Sequence, residues 1–599
     1  MSADLETVRS ELRRRGYLSP GVGRFLLQDA LAPRPAGRTF ALLSAKVGLL
    51  GGTVFALGGA VALLVLNRGS SPVALDLVAL FVHLLPPASL AVGLGFLVLS
   101  GLFTVLVRGT RQRRTESWAL GAALLVAGGL AGTLWQLRIE ASTLSWWQRG
   151  LAAVAAAAAG LFLVRVLYHG LLSLSLRLGD ADAARWPLTR RGLRLGLALA
   201  AGAIALPIAF SARSAAPPAA PASLPSAPGD RVVMIGIDGV LAQELEYLLA
   251  RGELPALAER VGQAGLAHYR RPVQAPAVFW TTVATGTPPE QHEVASLDTF
   301  RPLLVGRPLA TVGPARGYLA RILVPLGLAE HRPLVSSRRR TFAFWELASR
   351  GGEPVVATNW WGTYPAAAVP GTMIAHGAWG LLAEGAPGAV EPAGDETALR
   401  AAQAASADAP IPPELAASLG PAAAEELARR ALWPDRFYRE VFERRVPGAR
   451  AGALYLPALD LAADGWRGGA LAFGDLLRRE LAAFDQQLAQ LGGFDTVIVV
   501  FDPGRRLDAG SQEVEGRVLL WRRSGCSPAR AEVAVTALAA AALRALGLPQ
   551  SDELPEPPSG CFYARAPETV PSYGRRSEAG PGAAAEGEYL ENLRSLGYL

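Results

Sequence analysis

Apolar and polar positions divide the chain into two regimes. Between residues 43 and 211 the apolar runs are long and carry few charges; beyond residue 230 they are short and alternate with stretches of helical period. A bilayer crossing needs about 20 apolar residues. Five runs qualify, at about 45–66, 85–107, 118–136, 150–173 and 193–211. An apolar stretch from Val73 precedes the second run and contains Asp76, His83 and the pair Pro86-Pro87. It reads as an interfacial helix or as an extension of the span. Gly48-x-x-x-Gly52 and Gly128-x-x-x-Gly132 suit close helix packing. Residues 212–229 are rich in Pro and Ala and predict a semi-extended tether without a core.

In the second regime, strand signals fall at Val232–Ile237, Val355–Thr358, Ala453–Leu456, Thr496–Phe501 and Arg517–Trp521, with helical period between them, notably from Leu471 to Leu491. This alternation predicts an α/β domain over 230–569 with a largely parallel sheet. The Ala-, Pro- and Glu-rich stretch 381–430 predicts an insertion or cap. In the tail 570–599, a mobile Gly/Ala/Ser-rich piece leads to a short amphipathic helix from Glu588.

Charge adds a topology. The formal net charge is +7, yet Lys occurs once, as Lys46, and Arg supplies the rest of the positive charge. No basic patch interleaved with aromatics is present, so a nucleic-acid partner is not expected. Eight Lys and Arg lie in the segment up to Lys46, including all those of the N-terminal segment 1–42. The loops that follow carry Arg68; then Arg108, Arg111, Arg113 and Arg114; then Arg138 and Arg149; then Arg177, Arg185, Arg190, Arg191 and Arg194. The order is rich, poor, rich, poor, rich. Positive charge stays cytoplasmic, so the N-terminus reads as inside. The domain after Phe210 reads as extracytoplasmic, periplasmic in a two-membrane bacterium. No cleavable signal peptide is expected. Arg165 and His169 are ionisable residues near the end of the fourth run, and Arg165 reads as snorkelling to the headgroups.

Candidate chemistry concentrates between Arg231 and Val294. The strand ending Ile237-Asp238-Gly239 delivers a carboxylate to the C-terminal edge of a parallel sheet. Further on comes Trp280-Thr281-Thr282-Val-Ala-Thr285-Gly286-Thr-Pro288-Pro-Glu-Gln-His292. The block resembles the opening of the alkaline-phosphatase superfamily, in its type I phosphodiesterase and nucleotide-pyrophosphatase branch, and the resemblance runs to about Pro557. It implies two-metal phosphoryl chemistry, with Asp238 as a metal ligand and a Ser or Thr nucleophile just before the Trp-Thr-Thr run. Here the nucleophile position falls on Ala275 or Pro276, neither of which carries an oxygen to attack phosphorus. Thr281 and Thr282 match residues that are not nucleophiles in the family.

The other family positions are mixed. Asp460 matches a metal ligand, but the histidine four residues on is Asp464. Asp502 matches another ligand, and the histidine after it is Pro503. No His occurs beyond His376. By the resemblance, Asp238 and Asp502 would serve one metal, and Asp460 with Asp464 the other. Carboxylates alone favour hard cations, so a weak Mg²⁺ or Ca²⁺ site is conceivable and zinc is not expected. Equally, the aspartates read as helix caps and turn formers. His292 and His376 read as structural.

The sequence therefore predicts an α-helical membrane bundle of about five spans, followed by an alkaline-phosphatase-like domain that has lost its catalytic apparatus. Such a protein would bind or scaffold an envelope lipid, glycan or protein. The alternative is an active phosphodiesterase or phosphatase with a displaced nucleophile or direct water attack. Cys526 and Cys561 are the only two cysteines. An exported domain with an even count predicts a disulfide between them, the alternative being two buried free thiols.

Overall fold

The computed structural model of the chain describes residues 21–30, 36–67, 74–107, 146–178 and 228–595, with breaks at 273, 295, 307–308, 310–312, 465, 467–468, 507–512, 526–531, 559–567 and 577–582, and the single positions 10, 13, 121 and 224. Two compact units form: residues 1–214 with 301–330, and residues 215–300 with 331–599.

The first unit is built on three long helices, α1 (Ala36–Leu66), α2 (Ala74–Val107) and α3 (Trp146–Leu178). Two stretches are long and apolar enough to cross a bilayer, Gly37–Val61 and Leu75–Leu102. They cover the first two expected spans. The fourth falls on α3, whose apolar part, Ala158–Leu174, is shorter. The runs at 118–136 and 193–211 lie outside the described residues. The structure thus carries two candidate spans among the described residues, not about five. Of the five expected runs, two lie outside the described residues and a third falls on α3, whose described apolar stretch is short of a full crossing.

Helix α2 continues unbroken through Pro86 and Pro87, so the stretch from residue 74 extends the span. Gly48 and Gly52 make the contact face of α1. A Cβ on Gly48 would lie 2.5 Å from the Ser89 carbonyl oxygen, and one on Gly52 would lie 2.5 Å from Ser89 Cα. The glycines let the two backbones touch. Gly128 and Gly132 lie outside the described residues. Lys46 Nζ donates to the Phe25 carbonyl at 2.7 Å, which satisfies the lone lysine within an apolar unit.

The second unit is an α/β domain. Its strands are β1 (Val232–Asp238), β2 (Ala267–Pro272), β3 (Asp298–Pro302), β4 (Ala329–Pro333), β5 (Val355–Trp360), β6 (Gly371–Ala375), β7 (Val390–Glu391), β8 (Ala451–Leu456), β9 (Thr496–Asp502) and β10 (Glu513–Arg522), with a minor pair, Gln550–Ser551 and Thr569–Val570. The main sheet has eight strands in the order β2-β10-β9-β1-β8-β5-β6-β7. The five from β9 to β6 are parallel, whereas β10 is antiparallel to both its neighbours and β7 to β6. The parallel strands β1, β5, β8 and β9 are buried throughout, as continuous apolar runs covered on both faces must be.

Helix α4 (Pro276–Thr285) is buried along almost all its length. It packs on β1 through Trp280, whose ring lies 2.5 Å from where a Cβ on Gly236 would be, so only glycine leaves room for it. Helices α5 (Ala458–Ala463) and α6 (Gly469–Gln490) follow β8. The stretch 381–430 contributes β7 to the edge of the main sheet and is otherwise a succession of short helices. Helix α7 (Ala583–Ser595) buries Tyr589, Asn592 and Leu593.

A buried ion network braces the turns around α4. Arg339 donates to both Glu346 carboxylate oxygens, at 2.6 and 2.7 Å, and Arg576 Nε donates at 3.1 Å. Burial alone would raise the Glu346 pKa, but the two guanidiniums and the Ala343 amide hold it down at about 2. A depressed carboxylate contributes stability above its unfolded pKa and loses it as pH falls through the folded one. Glu346→Gln should therefore cost about 3–5 kcal/mol at pH 7. The gap to the unsubstituted chain should close as the pH is lowered from about 4.5 toward 2, as read by chemical denaturation across that range.

Candidate functional site

Parallel pairing puts Asp238 and Asp502 side by side. They are register partners at the C-terminal ends of β1 and β9. Strand β8, on the other side of β1, ends at Leu456 and turns into α5, which places Asp460 in that helix's first turn. Three buried carboxyl groups from three adjacent strand ends thus converge. Asp464, at the end of α5, is exposed and does not join them.

Each carboxyl is answered differently. Asp502 is clamped by Arg271, whose Nε and Nη2 donate to its two oxygens at 2.8 and 2.6 Å. The Tyr269 hydroxyl adds a bond at 2.6 Å and the Gly504 amide one at 2.8 Å. Burial would lower the Arg271 pKa, but the Asp502 charge and hydrogen bonds raise it instead. Asp460 Oδ1 accepts the Arg505 amide at 2.6 Å, and the Arg505 guanidinium lies 3.3 Å from Oδ2. The same guanidinium donates to Asp464 at 3.0 Å. Burial lifts the Asp460 pKa to about 6, with Arg505 pulling the other way.

Asp238 pairs with no cation among the described residues. Its Oδ2 accepts Trp280 Nε1–H and the Tyr455 hydroxyl, both at 2.9 Å, while Oδ1 is buried without a hydrogen-bond partner among the described residues. Burial first, and then the charges of Asp460 and Asp502, push its pKa well above the ordinary carboxylate value. Both effects favour its protonated, neutral form.

These residues fit a two-metal centre poorly. Two of the three buried carboxylates already hold guanidiniums, and the third favours its protonated form. One cradle exists: a Cβ on Gly504 would fall 2.2 Å from Asp460 Oδ1 and 2.5 Å from Asp238 Oδ1. Only glycine therefore fits against these oxygens, and two carboxylate donors are far short of the roughly six that a hard cation takes. Among the described residues, no group of three or more His, Cys, Asp or Glu is arranged to hold a metal ion.

The nucleophile position is equally bare. Ala275 is the N-cap of α4 and Pro276 its first residue, and no side chain caps the helix. The hydroxyls nearby are committed: Thr281, Thr282 and Thr285 donate to the carbonyls of Ala277, Val278 and Thr281 at 2.6, 3.0 and 2.8 Å. His292 bonds the Thr282 hydroxyl at 3.1 Å and accepts the Val294 amide at 3.1 Å, fixing the turn after α4. Burial, with Arg339 nearby, lowers its pKa to about 3. His376 stacks on Trp361 with ring centroids 3.9 Å apart and bonds the Tyr589 hydroxyl at 2.9 Å. Cys526 and Cys561 lie outside the described residues.

The sequence reading missed Arg271, Arg505, Tyr269 and Tyr455. A signal was available for the first. The buried positions of β2 alternate as Ala267, Tyr269 and Arg271, so the arginine occupies an inward position of a strand and needs an acidic partner.

Asp238→Asn separates a neutral buried group from a ligand carboxylate. A raised carboxyl pKa means that the folded state binds its proton more tightly than the unfolded chain. Stability is then lost as pH climbs from the unfolded value toward the folded one. Asn has no proton to lose and keeps an oxygen for Trp280 and Tyr455. The variant should melt at a higher temperature than the unsubstituted chain at pH 8 and at the same temperature at pH 3. A lower melting temperature at pH 8 would contradict the neutral assignment.

No protein-family model and no curated protein matches the chain. Two solved structures of phosphonoacetate hydrolase from Sinorhizobium meliloti 1021 are similar over part of it. The complex with phosphonoformate aligns at 14% identity and a TM-score of 0.29, and the complex with phosphonoacetate at 16% and 0.26. Each alignment covers 47% of this chain and 59% of the solved one. Neither is close enough to carry residue roles or an activity across.

Proposed function

We propose that the chain is a membrane-anchored, extracytoplasmic binding or scaffold module of the cell envelope, built on an alkaline-phosphatase-like domain whose catalytic apparatus is degenerate. Its partner would be an envelope lipid, a glycan or another protein. One observation carries the non-catalytic part. The carboxylates at the sheet edge are bonded to the chain's own Arg271 and Arg505, next to a helix that begins without a hydroxyl. Phosphoryl transfer of this kind needs metal ions to bind phosphate and a nucleophile held between them. The anchoring part is supported by the two apolar helices, and the orientation by the alternating arginine counts.

The full-length chain in detergent should show no turnover of bis-nitrophenyl phosphate or nitrophenyl phosphate above background with Zn²⁺, Mg²⁺ or Mn²⁺. Robust hydrolysis that disappears in Asp238→Ala would overturn the degenerate reading. A phosphatase or fluorescent-protein fusion at Leu599 should report the outside, and one at Arg111 the inside; the reverse pattern would refute the orientation.

A further inference from the structure

The segment 301–330 belongs with the apolar helices rather than with the α/β domain that surrounds it in sequence. It contains a short helix, Gly313–Tyr318, that runs into a wide turn at Leu319–Leu323. Its inner face is apolar: Val305 and Leu309 are buried with Leu63, Leu64 and Leu80 of α1 and α2. Its polar groups bond the first turns of α2. Asp76 accepts the Gly306 amide at 3.0 Å, His83 Nε2 donates to the Leu303 carbonyl at 2.8 Å, and the Tyr318 hydroxyl donates to the His83 carbonyl at 3.1 Å. Asp76 and His83 thus act as clasps, which accounts for the two ionisable residues of the helix.

The outer face is apolar as well. Of the eighteen large apolar side chains exposed among the described residues, eleven lie on the long apolar helices and only Tyr247 and Leu471 in the α/β domain. The other five are Leu303, Leu304, Ile322, Leu326 and Leu328, all in this one short segment, with Leu304 73% and Leu326 66% exposed. They continue the exposed row Leu75, Val78 and Val82 on the adjoining part of α2. Arg316 and Arg321 are exposed on the same segment.

We propose that the described part of 303–328 is a hairpin seated in the membrane interface, with the leucines in the acyl boundary and Arg316 and Arg321 among the lipid headgroups. The occupant of the apolar face is lipid. Depth follows from α2. Its 34 residues span about 51 Å at 1.5 Å per residue, against roughly 30 Å of hydrocarbon. The clasped part, Asp76 to His83, lies at the N-terminal end of the helix, and the proposed seating puts the surplus length at that end. An irregular backbone cannot face lipid in the hydrocarbon itself, but at the interface its polar groups are hydrated. An apolar face beneath a basic rim is what that boundary holds.

The inference rests on the membrane reading of α1 and α2, and the test separates the two. In a Cys526→Ser, Cys561→Ser background, single cysteines replace Leu304, Leu326, Val98 or Leu471 and carry an environment-sensitive nitrobenzoxadiazole label. The full-length chain is reconstituted in nanodiscs of phosphatidylcholine and phosphatidylglycerol, with and without lipids bearing a nitroxide near the headgroup. Labels at 304 and 326 should be blue-shifted and quenched as strongly, within about twofold, as the label at 98 on α2. The label at Leu471, 89% exposed on the α/β domain, should stay unquenched. If 98 is quenched while 304 and 326 behave like 471, the hairpin inference fails and the anchoring stands. If 98 is not quenched either, both fail. A blue shift at 304 and 326 without lipid quenching would mean a protein partner and would also overturn the proposal. Should the cysteine-free background fail to fold, benzoylphenylalanine at the same four positions in the native background, read by crosslinking to lipid, distinguishes the same outcomes.

Discussion

Everything at the sheet edge depends on one electrostatic constraint: three carboxyl groups meet where there is no water to solvate them. Burying an ionised carboxylate costs several kcal/mol unless an opposite charge meets it with good geometry. The chain meets the constraint in three ways at once. Asp502 receives the planar fork of Arg271, Asp460 receives Arg505, and Asp238 is pushed toward its neutral form. The solutions are coupled. Arg271 reaches Asp502 because β2 joins the sheet beyond β10, and burial first, then the charges of Asp460 and Asp502, favours the protonated form of Asp238. The order of strands at that end of the sheet and the protonation of its acids are one arrangement.

How legible this was depended on what each residue buries. Strands β1, β5, β8 and β9 read directly because a parallel strand covered on both faces is a continuous apolar run. Asp238 and Asp502 read as strand-end carboxylates for the same reason. Strand β2 did not read, because one of its three buried positions is Arg271 and the apolar alternation breaks there. Its inward charge is compensated by a residue more than two hundred positions away, and no local window contains both. Arg505 was hidden differently: it follows Asp502 within a turn, where an exposed arginine is the ordinary expectation.

The helical unit shows the converse limit. Hydropathy marks apolar runs but not their context. The stretch before the run at 85–107 read either as an interfacial helix or as an extension of the span, because Asp76, His83 and two prolines interrupt it. The structure joins both parts into one helix, since the polar pair is satisfied by the 301–330 segment rather than by water. That segment was invisible as part of the helical unit because its partners are more than two hundred residues distant in sequence.

The two arginines also bear on what such an edge can do. A metal ion offers open coordination positions that a phosphate oxygen can take, and it exchanges with solution. A guanidinium bonded through both forks to Asp502 offers none in that direction. It is tethered, always charged and rigid in plane. The charge of Asp502 is therefore balanced by the chain itself. Arg505 differs: part of its guanidinium faces solvent while it holds Asp460 and Asp464. The Arg505 backbone amide also bonds Asp460, so that buried carboxylate has a partner independent of the guanidinium.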